Sequence, residues 1–60
     1  MATYRLYLFN EKLHITRAED YDLPDDDAAT MKARERLRQA GDVRLVEVWE
    51  RERLVSRVAR

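Results

Sequence analysis

Sixty residues with 12 basic and 12 acidic side chains, one histidine and no cysteine describe one small domain, residues 1–60, and exclude disulfides and thiolate metal sites. A chain of this size buries only about 60% of the surface its unfolded form exposes, so it needs a further source of stability. With disulfides absent and a single histidine too few for a His-based zinc site, oligomerisation is the device that remains.

The chain begins with an apolar run in residues 1–9, interrupted by Arg5 and followed by no small-residue cleavage site. It is therefore not read as a signal peptide. Thr3–Phe9 is rich in aromatic and branched residues and predicts a strand. Asn10-Glu11-Lys12 predicts a short turn, with Asn10 the residue best able to take a positive φ. Leu13–Ala18 predicts the second strand of a hairpin.

Asp22-Leu23-Pro24-Asp25-Asp26-Asp27 then opens a helix. Asp25 is the expected N-cap, and Asp22 with Pro24 just inside is the competing one. Asp26 and Asp27 fall where the helix dipole favours negative charge. The helix is expected to run to about Ala40, with Arg34, Arg36 and Arg38 toward its negative end. Gly41 suits a left-handed position just beyond it. The buried stripe should be Ala29, Ala33, Leu37 and Ala40, small side chains that let a helix lie close to a sheet. Val43–Trp49 and Arg53–Val58 predict a second hairpin through Glu50-Arg51-Glu52.

The expected fold is α+β in the order β-β-α-β-β. Strands 1 and 3 are apolar at odd and even positions and belong in the middle, while strands 2 and 4 carry Arg17, Arg53 and Arg57 and suit the edges. This gives a four-stranded antiparallel sheet ordered 2-1-3-4, with one helix on one face. With two- or four-residue loops, alternation turns Tyr4, Leu6, Leu8, Ile15, Val46, Val48 and Val55 toward the helix. Tyr7, Phe9, Val43, Leu45, Trp49, Leu54 and Val58 then lie on the open face. Arg5 is expected to meet Glu47 there, across strands 1 and 3.

A single helix covers one face of a sheet, so the open face needs a partner, most simply a second copy of the chain. The interface expected from the sequence is Tyr7, Phe9, Leu45, Trp49, Leu54 and Val58. Another protein is the alternative occupant.

The chemistry-bearing residues are few. Six carboxylates fall within Glu19–Asp27, but Pro24 stiffens the run and no glycine allows a calcium-binding bend. They are read as a helix cap and a solvated acidic turn. His14 is expected on an edge strand without a nucleophile beside it, and Ser56, the only serine, lies on the other edge. The sequence thus predicts no enzyme, no cofactor and no metal.

Charge divides along the chain, with residues 1–30 at −4 and residues 31–60 at +4. Lys32, Arg34, Arg36 and Arg38 on the helix, with the C-terminal arginines, could therefore serve a small nucleic-acid-binding regulator. They occupy two sides of the helix, with Glu35 among them. The leading expectation is a non-catalytic, homodimeric interaction module. No segment approaches the length of a membrane span, and the lack of cysteine suits a cytoplasmic setting.

Tyr4-Arg5-Leu6-Tyr7, His14-Ile15 leading into Arg17-Ala18-Glu19-Asp20, the Asp-rich helix start before Ala28-Ala29, and Val46-Glu47-Val48-Trp49 followed by Arg53-Leu54-Val55 together resemble a family of short, uncharacterised bacterial proteins. That family carries glycine in its first and last turns, where this chain has Asn10-Glu11-Lys12 and Arg51-Glu52. The resemblance implies a bacterial, cytoplasmic origin and brings no functional residues.

Overall fold

The computed structural model describes residues 1–60. Strand β1 (Ala2–Phe9) pairs with β2 (Ile15–Leu23), helix α1 (Asp26–Gln39) follows, and β3 (Leu45–Glu50) pairs with β4 (Arg53–Ala59). The strands form one antiparallel sheet ordered β2-β1-β3-β4. The fold is the expected α+β arrangement, with the two most apolar strands at its centre.

Helix α1 starts where its cap dictates. Asp25 is extended (φ −159°), and its carboxylate accepts the Ala28 N–H at 2.8 Å, satisfying one donor that the first turn leaves open. Asp26 and Asp27 add negative charge to that end. At the far end the Ala40 N–H donates to the Arg36 carbonyl, and the Val43 N–H donates to the Ala40 carbonyl. Gly41 does not take the left-handed conformation expected of it. The last carbonyls are served instead by Arg60, whose guanidinium donates to the carbonyl oxygens of Leu37, Ala40 and Val43. A cation here also meets the negative end of the helix dipole.

The core lies between α1 and one face of the sheet. Tyr4, Leu6 and Leu8 of β1, Val46 and Val48 of β3 and Val58 of β4 meet Ala29, Ala33 and Leu37 of the helix, and Val43 closes one end. Ala40, the fourth residue of the expected stripe, is half-buried against this cluster, as is Val55. Burying a Leu or Val side chain stabilises the fold by roughly 1.5–3 kcal/mol, so the strands supply most of the apolar driving force and the helix supplies close approach.

Three face assignments differ from the alternation pattern, each for a local reason. Ile15 was expected under the helix but is 55% exposed on the opposite face. A bulge near Thr16 pairs Leu8 with Arg17 and Phe9 with Ile15, reversing the face of the first residue of β2. Val58 was expected on the open face but is buried. The second bulge pairs Val48 with Ser56 and Trp49 with Leu54, so the face changes after Leu54. Val43 also belongs to the core, because it precedes β3 and does not follow strand alternation.

The turns show a related correction. Asn10 does not take a positive φ; Leu13 (φ 61°) and Arg51 (φ 55°) do. The Asn10 side chain instead accepts the N–H groups of Lys12 and His14 at 2.9 and 3.1 Å, shaping the turn through its amide oxygen. β2 also runs five residues beyond the predicted strand, through Glu19 to Leu23.

Candidate interaction surface

Odd-numbered residues of β1 and β3 point away from the helix, and the pairing registers arrange the open face in rows. One row runs Ile15, Phe9, Leu45, Ala59 from β2 to β4. The next runs Ala18, Tyr7, Glu47, Arg57, and the third Asp20, Arg5, Trp49, Leu54. Tyr7, Phe9, Leu45 and Trp49 are half-buried here, while Leu54 is 42% exposed. Of the interface residues expected from the sequence, these five share the surface. Val58 does not, and Ile15 takes its place.

The charges on this face are joined in its plane. The Arg5 guanidinium donates to both Asp20 carboxylate oxygens, at 2.8 and 3.1 Å. This replaces the expected Arg5–Glu47 pairing, because the register sets Arg5 opposite Trp49 and Tyr7 opposite Glu47. Glu47 accepts from Arg57 at 3.0 Å and from the Trp49 indole N–H at 3.1 Å. Arg5 holds the Asp20 carboxyl below its ordinary range through that hydrogen bond and its charge. A shallow basin of about 620 Å³ lies among Arg5, Tyr7, Ile15 and Trp49.

The helix arginines are not gathered in one place. Arg36 makes two hydrogen bonds to Glu19, at 2.8 and 2.9 Å, and a third to Gln39. Lys32 lies 5.1 Å from the Tyr21 ring centre and 3.6 Å from Glu35. Arg34 and Arg38 are exposed. Among the C-terminal arginines, Arg53 is paired with Asp26 and Glu50, and Arg57 with Glu47. Much of the charge asymmetry between the halves is therefore internal, since Glu19–Arg36 and Asp26–Arg53 join one half to the other.

The acidic run is likewise divided. Glu19 points to the helix side, Asp20 and Asp22 to the open face, Asp25 caps α1 and Asp26 receives Arg53 and the Tyr4 hydroxyl. Strand alternation thus separates carboxylates that are adjacent in sequence, and no three of them converge. The Tyr4 hydroxyl, donating to Asp26 while buried, is pushed up to about 12. His14 is exposed beside the first turn, and Ser56 shares a 2.7 Å hydrogen bond with Thr30 on the helix side. No helix of the chain is long and apolar enough to cross a membrane.

Comparison with protein-family models, curated proteins and solved structures finds no match. The surface is therefore interpreted from its own chemistry.

Proposed function

We propose that this chain is a non-catalytic interaction module that associates with a second copy of itself through the open face of its sheet. The observation that carries this reading is the cluster on the face opposite the helix, where Ile15 and Leu54 are exposed and Tyr7, Phe9, Leu45 and Trp49 are half-buried. A contiguous apolar patch of this kind is uncommon on a monomer. Stacking two such faces makes a sandwich with a second core. The paired charges support the reading, because Arg5–Asp20 and Glu47–Arg57 would enter an interface as joined pairs rather than as lone ions.

Trp49 is the expected anchor. It offers a large ring at the centre of the face, with its indole N–H already satisfied by Glu47. The test is the solution mass of the native chain and of Trp49→Asp at micromolar concentration. The native chain is expected to be a dimer and the variant a folded monomer. A Trp49→Asp variant with unchanged dimer mass removes Trp49 from the interface, and a monomeric native chain overturns the reading.

A further inference from the structure

The proposed pairing leaves open how the second copy is turned, and the rows of the open face distinguish two simple arrangements. A two-fold axis lying between the stacked sheets can run along the strands or across them. Along the strands, each row meets itself with its column order reversed, so β1 lies on the partner copy's β3. Across the strands, each column meets itself with its row order reversed, so β2 lies on the second copy's β2.

We infer that the second copy is related by an axis along the strands. This inference rests on the reading of the open face as a self-association surface. In that arrangement Phe9 meets Leu45 of the other copy, apolar on apolar. Arg5 meets Trp49, a cation facing an indole ring. Tyr7 meets Glu47. The Tyr4 hydroxyl donates to Asp26 and the Tyr21 hydroxyl to Glu19, but the Tyr7 hydroxyl, beside Arg5, has no acceptor within its own chain. Glu47 of the other copy would provide one. Because the axis passes between β1 and β3, each of these contacts occurs twice.

The crosswise arrangement fits poorly. It sets the middle row on itself, Tyr7 over Tyr7 and Glu47 over Glu47, and it lays the apolar row of Ile15, Phe9 and Leu45 over Asp20, Arg5 and Trp49. The two Glu47 carboxylates would then face each other, a like-charge contact whose cost the lengthwise arrangement avoids.

The absence of native cysteine makes the test direct. Ala18 on β2 and Ala59 on β4 are exposed, small and on the open face. The lengthwise axis sets them near one another across the interface, whereas it places Ala18 far from the second copy's Ala18. Ala18→Cys and Ala59→Cys chains are treated, singly and mixed, with a bis-maleimide linker that spans about 12 Å, the separation set by the sheet spacing and the one-row offset between the two residues. Sedimentation first establishes their mass. The expected result is dimers that cross-link only in the mixture. Dimers in which Ala18→Cys links to itself, or in which the mixture gives no product, overturn the lengthwise axis while leaving self-association standing. Monomers overturn both.

Discussion

Leu13 adopts a left-handed backbone conformation, yet its side chain is 63% exposed and contributes little burial in return. A side chain with a Cβ costs roughly 1–2 kcal/mol in that conformation relative to the right-handed one. Leu13→Gly removes this strain but loosens the unfolded chain, so the net expectation is a gain of about 0.5–1 kcal/mol. Urea denaturation measures it, and a loss of stability would show that the Leu13 side chain supports the turn. Glu19 presents the opposite case. Its side chain is 18% exposed, accepts two bonds from Arg36 and one from the Tyr21 hydroxyl, and its carboxyl is held below its ordinary range mainly by the Arg36 hydrogen bond. Glu19→Gln is expected to cost about 1.5 kcal/mol, the scale of a hydrogen bond to a charged group.

The direction of that shift sets a pH dependence. Because the Glu19 carboxyl is held lower in the folded chain than in the unfolded one, its contribution is present above the unfolded value near pH 4 and lost as pH falls further. Asp20 and Asp26 shift in the same direction through Arg5 and Arg53, but both are more exposed, so solvent screens them and Glu19 should dominate. The urea midpoint should hold from pH 7 to pH 5 and drop below about pH 4, with a smaller drop in Glu19→Gln. A midpoint unchanged down to pH 3 would contradict this assignment.

At the scale of elements, the helix carries its own boundary signals. Asp25→Ala removes the side-chain acceptor for Ala28 and should lower stability by about 1 kcal/mol, whereas Asp25→Asn or Asp25→Ser should retain most of it. Thermal unfolding of the three variants checks this, and equal melting temperatures would mean the cap contributes nothing. These signals, with the doubly apolar strands β1 and β3, made the element order and strand order readable from sequence. The faces at the strand ends were less readable. Alternation assigns a whole strand from one residue, and a bulge reverses part of that assignment without a distinctive residue to mark it. Thr16 and Val55, the residues at the two bulges, are ordinary strand formers. Ile15 and Val58 consequently exchanged faces relative to expectation. The extension of β2 through Glu19 and Asp20 was hidden by its charge, because those carboxylates become suited to a strand only once Arg36 and Arg5 lie beside them.

For the whole molecule, one helix stands over one face of a four-stranded sheet and the other face keeps its aromatic side chains toward solvent. The centre of that face, Tyr7, Phe9, Leu45 and Trp49, was legible in the sequence because β1 and β3 have large apolar residues at odd positions. Its in-plane ion pairs were not, since they depend on registers that alternation alone does not determine. A second copy would cover the aromatic side chains while the helices remain outside, giving each small domain a second core. Stability should then rise with protein concentration, because association and folding are linked by mass action. Sedimentation equilibrium of the native chain beside Trp49→Asp, at micromolar concentration and moderate salt, tests this most directly. The expected result is a native mass of twice 7.2 kDa and a variant at the single-chain mass with its helix retained. A native chain that sediments as a monomer under these conditions would contradict self-association through the open face.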